Sequence, residues 1–174
     1  MKTPFETAAF APSNTNELME ATPTRDLLRQ WGAIMRELRR RMIVRTANNP
    51  IGDIAEALVA LHYKGRRGSF AQLGWDVDTG TEKLQVKSLR KTPLRKHEVC
   101  SPIRSEDYDA VIVVVFTEDL RVDSAWRTPR EVVDDRFSHN THVNGRIIRL
   151  SDALKHDPRV TQVILSDACL DTGP

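Results

Sequence analysis

The chain has 174 residues, 29% of them charged and 40% hydrophobic, with a formal net charge of +2; it is long enough to bury a real core, most simply as one domain. No run of about 18 apolar residues is present, so no transmembrane helix is expected. The N-terminus lacks the basic-then-apolar order of a secretory signal, and Cys100 and Cys169 have neither metal spacing nor a disulfide framework, which points to a reducing, cytoplasmic setting.

The small net charge hides an asymmetry. Residues 25–96 hold sixteen Lys and Arg against seven Asp and Glu, whereas residues 97–174 hold nine against fourteen. A basic first half suits one positive face for a polyanion, or simply solvated helix surfaces.

Residues 1–23 are rich in Thr, Ala, Pro and Asn without a sustained period, and read as a flexible N-terminal arm before a single domain over 24–174. Thr24 can cap a helix that places Leu27, Trp31, Ile34, Met35, Leu38 and Met42 on one face. Arg25, Arg29, Arg36, Arg39 and Arg40 fall on the other face, with Arg41 near the seam. Asn49-Pro50 signals the next helix start. That helix, IGDIAEALVALHY, is apolar on most of its circumference and should pack on several sides, yet it carries Glu56 in its middle. KGRRGS is a basic turn. FAQLGWDV and EKLQVKSL form a hairpin with Asp78-Thr79-Gly80 at its tip. KTPLRKHE is a basic loop. DAVIVVVF (109–116) is a β-branched run that predicts a strand covered on both faces. LRVDSAW predicts a strand, TPREVVDD a short helix capped at Thr128, RIIRLS a strand, SDALKH a helical turn, and VTQVIL a last short strand or helix. Between them, FSHNTHVNG is polar and turn-rich. The order implies an α/β or α+β fold, with a mixed central β-sheet flanked by helices.

The hairpin concentrates the polar chemistry. Residues two apart on a strand share a face, so Gln85 and Lys87 project together while Leu84, Val86 and Leu89 pack. Asp76 on the adjoining strand can reach the same edge. A hard ion such as Mg²⁺ prefers oxygen ligands. Asp76 offers a charged oxygen, and the Gln85 side-chain carbonyl and the Val86 backbone carbonyl offer neutral ones. Glu56 can add a second carboxylate from the helix. A divalent ion makes a coordinated water more acidic, and Lys87 is a compact donor that can orient water and offset charge on a phosphate. The set suits metal-assisted phosphodiester hydrolysis.

A helix Glu, then Gly-Trp-Asp, then Gln-Val-Lys on the next strand resembles the PD-(D/E)-x-K nuclease superfamily over roughly residues 50–116. Gln85 stands where the usual form has Asp or Glu, similar to the Gln-x-Lys variants of the Mrr type, and Trp75 replaces the proline before Asp76. The resemblance implies a restriction-endonuclease-like core. It also implies a site in which Glu56, Asp76 and Gln85 hold Mg²⁺ or Mn²⁺ and Lys87 assists the attacking water. Asp78 is an alternative acid, placed nearer the turn.

Other readings stand beside this one. Lys87 can snorkel from a strand edge, and Glu56 can sit exposed or pair with an arginine. The neutral Gln85 leaves open a catalytically inactive nucleic-acid-binding protein on the same fold. Arg36, Arg40, Arg41, Arg45, Arg66, Arg67, Arg90, Lys91, Arg95 and Lys96 are candidates for gripping a phosphate backbone, with DNA the expected substrate and RNA also open. His139 and His142 lack further zinc ligands and favour a polar loop. Trp31, Trp75 and Trp126 are expected in the core. The expected activity is a metal-dependent DNA endonuclease, of a restriction or repair system, working as a homodimer because cutting both strands needs two sites.

Overall fold

In a computed structural model of the chain, residues 15–69, 74–93 and 98–171 are described. Residues Phe70 to Leu73, from the first arm of the expected hairpin, and the candidate contacts Arg95 and Lys96 lie outside them. The chain divides into two compact units, 1–37 and 38–174.

The first unit holds α1 (Thr15–Glu20), a short helix within the segment expected as an arm, and most of α2 (Thr24–Arg40). The periodicity that predicted α2 is borne out, but the burial of its apolar stripe is not. Met35 is buried, whereas Trp31, Ile34 and Met42 are 49%, 51% and 60% exposed. The expectation that Trp31 is core is therefore overturned. An apolar stripe fixes which residues share a face of a helix, not what covers that face.

In the second unit α2 ends where Met42 turns left-handed (φ 58°) and the Ile43 N–H reaches back to the Leu38 carbonyl at 3.1 Å, a Schellman-type stop. The next helix, α3 (Ile51–Tyr63), buries Asp53, Ile54, Ala55, Ala57, Leu58, Val59 and Ala60, as its nearly all-round apolar sequence demands. It stops at Lys64 in the left-handed region, and the Gly65 N–H closes on the Ala60 carbonyl at 2.8 Å. A Cβ on Gly65 would lie 2.8 Å from the Asp78 carbonyl oxygen, so only glycine lets the chain pass this close to the sheet.

The sheet is mixed and six-stranded, in chain order: β1 (Arg66–Arg67), β2 (Val77–Asp78), β3 (Lys83–Arg90), β4 (Ala110–Phe116), β5 (Val122–Pro129) and β6 (Thr161–Val163). β3 and β4 run parallel, and the other neighbours are antiparallel. The fold is thus α/β with a mixed sheet flanked by helices, as the sequence implied. Every residue of β4 is buried, as its β-branched run predicted. Removing valines such as Val111, Val113 and Val115 from water stabilises the fold by roughly 1.5–3 kcal/mol each.

α3 packs on β1, β2 and β3. A separate core cluster joins Leu89, Val111, Val113 and Val115 to Val132 and Val133 of α4 (Arg130–Arg136), to Ile148 and Leu150, and to Leu154 of α5 (Asp152–Lys155), with Trp126 packed against it.

Two local expectations shift. Thr128 does not cap α4 but sits buried in β5, and Pro129 takes the cap position without a side-chain bond. RIIRLS is not a strand of the sheet. Its residues Arg146 and Arg149 form isolated bridges with Ile103 and Val99, in the segment joining β3 to β4. Among the described residues no helix is long and apolar enough to cross a membrane.

Candidate active site

The β2–β3 hairpin forms around the expected turn, but its first arm is shorter than FAQLGWDV implied: β2 is Val77–Asp78 alone, and Asp78 belongs to the strand. Gly80 takes φ +86°, its N–H bonds the Asp78 Oδ1 at 2.8 Å, and the Thr79 hydroxyl accepts the Glu82 N–H at 2.9 Å. Asp78 is thereby spent on the turn, with Arg66 as an ion-pair partner at 3.7 Å. That role disfavours Asp78 as the alternative acid.

Asp76 lies just before β2. Its N–H bonds the Leu84 carbonyl at 2.9 Å, and its own carbonyl accepts the Gly68 N–H at 2.8 Å, so its backbone is held between β3 and the end of β1. Its Oδ2 accepts the Val86 N–H at 2.6 Å and a bond from the Gln85 side-chain amide. The strand geometry explains the meeting. Val77 pairs with Leu84, so Asp76 lies opposite Gln85. A strand residue directs its N–H and C=O to the same edge. The Val86 carbonyl therefore points to the edge from which β2 has already departed.

Lys87 follows on the face of Gln85 and is partly buried. Burial lowers its pKa from the ordinary lysine value, and the nearby Asp76 carboxylate is the main opposing influence. In turn, burial raises the Asp76 pKa, opposed by the Val86 N–H, by Lys87 and by the Gln85 amide. Lys87 and Asp76 thus share one electrostatic environment. Cys100, buried, and Arg104 also act on Lys87.

Glu56 projects from α3 toward the same group. Burial first, and then repulsion from Asp76, raise its pKa to about 7, against the attraction of Arg45. The Arg45 guanidinium donates to Glu56 Oε2, to Asp53 Oδ1 at 3.4 Å and to the Gly68 carbonyl at 2.6 Å. Asp53 completes the clamp by accepting the Arg45 and Thr46 N–H groups at 2.9 and 2.7 Å. Asp53 and the positioning role of Arg45 were missed by the sequence reading. The available signal was that two acids three apart in a helix share a face.

Among the described residues no three His, Cys, Asp or Glu side chains are grouped so as to hold a metal. Two carboxylates, Asp76 and Glu56, come together, and any further ligands would be neutral oxygens. The Gln85 amide nitrogen faces Asp76, and its carbonyl is the atom left for a cation. The chemistry of this set fits a hard divalent ion: two partly buried, mutually repelling acids beside a backbone carbonyl.

The candidate phosphate contacts separate into two groups. Arg36, Arg40, Arg41, Arg66, Arg90 and Lys91 are exposed, each taken within its own unit. Arg45 serves the acids of α3, and Arg67 donates to the carbonyls of Ile43, at 3.0 Å, and Met42. Both spend their guanidinium donors inside the fold. His139 and His142 are exposed on a turn where Asn140 Oδ1 accepts the His142 N–H at 3.0 Å, a polar loop as expected.

No protein-family model matches the chain, and no curated protein matches it. Among solved structures the chain is similar to a bacterial homing endonuclease, I-Ssp6803I, with 21% identity and a TM-score of 0.39 over 66% of this chain and 83% of that one.

Proposed function

We propose that this chain is a metal-dependent DNA endonuclease on a restriction-endonuclease-like core, a Gln-x-Lys member of the PD-(D/E)-x-K kind. The observation that carries the reading is the convergence of Asp76, Gln85, Val86 and Lys87 at one sheet edge with Glu56 of α3 beside them. In hydrolysis, water attacks phosphorus, the bond to the leaving sugar oxygen breaks, and a phosphomonoester and a hydroxyl result. Asp76, Glu56 and the carbonyls of Gln85 and Val86 would hold Mg²⁺ or Mn²⁺, which when bound acidifies water and offsets phosphate charge. Lys87 donates to the attacking water or to a non-bridging phosphate oxygen, where its charge has more effect than in open water because it is partly buried. Arg45 keeps Glu56 aimed at the group. The exposed Arg36, Arg40, Arg41, Arg66, Arg90 and Lys91 supply backbone contacts without reading sequence. Cleavage of both strands would need two copies of the site, supplied by a homodimer, and the activity would suit a restriction or repair system.

One observation favours a second reading, a nucleic-acid-binding protein without cleavage. The Gln85 amide already supplies Asp76 with a positive dipole, as a cation would. Plasmid incubation with Mg²⁺ or Mn²⁺ separates the two. Nicking that disappears in both Lys87→Ala and Asp76→Ala supports the enzyme. Absence of nicking with either metal, combined with salt-dependent retardation that survives both substitutions, supports the binder.

A further inference from the structure

A cavity of about 630 Å³ opens at the far end of β3 from the hairpin, between Leu89 to Thr92 on one side and Arg149 to Asp152 on the other. Its floor is Leu89, Val115 and Leu150, whose side chains belong to the core. Its wall is charged: Arg90, Lys91, Arg149 and Lys155 against Glu98 and Asp152. Three of the cations are held in place. Arg90 donates to the Glu118 carbonyl, Lys91 pairs with Asp123 at 2.8 Å, and Lys155 pairs with Glu98 at 2.9 Å. Arg90 keeps its whole charge, since a carbonyl does not neutralise it. Arg149 is exposed and makes no ion pair among the described residues. A cavity with this wall suits a polyanion rather than an apolar ligand.

Its position relates it to the candidate site. Leu89 is two residues beyond Lys87 on the same face of β3, and Arg90 is three beyond. At about 3.3 Å per strand residue the cavity begins roughly 7–10 Å from Lys87. Adjacent phosphates of one strand wind around the helix and lie farther apart than the axial rise of about 3.4 Å, so that distance spans one or two nucleotides. We propose that this cavity is a substrate subsite that holds a backbone phosphate of the cleaved DNA strand one or two nucleotides from the scissile one, with Arg149 as the principal contact. The assignment rests on the endonuclease reading above. It accounts for something the hairpin leaves open, namely what fixes the register of a strand across Lys87. Phosphate contacts position a strand without specifying sequence.

The test uses the full chain and a fluorescein-labelled oligonucleotide duplex, with anisotropy read in EDTA across a salt series and cleavage read separately with Mg²⁺ and Mn²⁺. Arg149→Glu is expected to weaken binding about tenfold at low salt and to lower the salt slope by about one, while Arg149→Lys retains both. A duplex that ends at the scissile phosphate on the cavity side, and so lacks the contacted phosphate, should abolish the difference between Arg149→Glu and wild type. Thermal melting of each variant checks folding, and Arg149 is exposed enough for all to fold. Unchanged affinity and slope in Arg149→Glu, beside metal-dependent cutting that Lys87→Ala abolishes, would overturn the subsite and leave the endonuclease standing. Weakened binding without any cutting by wild type would instead keep the cavity as a DNA contact and remove the endonuclease. A deoxynucleoside monophosphate that perturbs the Val115 and Leu150 methyl signals, yet fails to displace the duplex, would overturn the assignment in favour of a free-nucleotide site.

Discussion

Arg45 donates to Glu56 while the Arg45 backbone is itself held by Asp53, so one arginine ties two acids of α3 to the loop that follows α2. Asp53 is 7% exposed, and the Arg45 and Glu56 side chains are 21% and 18% exposed, so the pairing is largely shielded from water. Removing one partner of a buried pair leaves the other uncompensated. Arg45→Met should lower stability by about 3 kcal/mol. Urea denaturation of variant and wild type measures this; a loss within about 0.5 kcal/mol, the range of ordinary surface substitutions, would rule the clamp out.

The raised Glu56 pKa has a definite sign. In the unfolded chain Glu56 titrates near 4.5, and in the fold near about 7. Between those values the native state keeps a proton that the unfolded chain has released, so this group's contribution to stability declines as pH rises through that window and is level above it. The separation corresponds to about 3 kcal/mol. Glu56→Gln should therefore gain on wild type from about pH 4.5 to about pH 7, then hold a constant difference. Paired denaturation curves across pH give the difference; a flat line would show that burial does not govern Glu56.

Gln85→Glu places a third carboxylate against Asp76. Without metal this variant should be less stable than wild type at pH 8, because the Gln85 amide donor is replaced by like charge. Mg²⁺ should then raise its melting temperature more than it raises that of wild type. Scanning calorimetry with and without Mg²⁺ decides. Equal metal responses in both proteins would argue against a cation at this edge.

For Lys87→Ala, loss of a donor aimed at developing charge is expected to lower the cleavage rate by about 10²- to 10³-fold. Asp76→Asn retains an oxygen for the Val86 N–H and should fold, but bind Mg²⁺ more weakly. Single-turnover cleavage and calorimetric titration with Mg²⁺ provide the readouts.

Much of this arrangement was legible in the residues. The alternation in EKLQVKSL, the turn residues Asp78 and Gly80, and the β-branched run of β4 each have one physical reading, and each formed. The proximity of Asp76 to Gln85 followed from antiparallel pairing across that turn. Other features depend on contacts far apart in the chain. Nothing near Arg45 or Arg67 in sequence shows that their guanidinium groups turn inward, toward Gly68 and Ile43. Residues 146–149 have strand-like composition, but their partners are bridging residues of the β3–β4 connection rather than a sheet edge. Trp31 has a core residue's chemistry without a core residue's cover, because periodicity reports a face and not its neighbour.

The parallel pairing of β3 with β4 orders events as the polypeptide leaves the ribosome. β2 and β3 can close as a local hairpin within microseconds. The other flank of β3 must wait for a strand that ends at Phe116 and closes a long connection, which is entropically slower. Lys87 lies opposite Val113 in that late ladder. A nascent chain interrupted before β4 would carry Glu56, Asp76 and Lys87 but not the buried strand that pairs with Lys87.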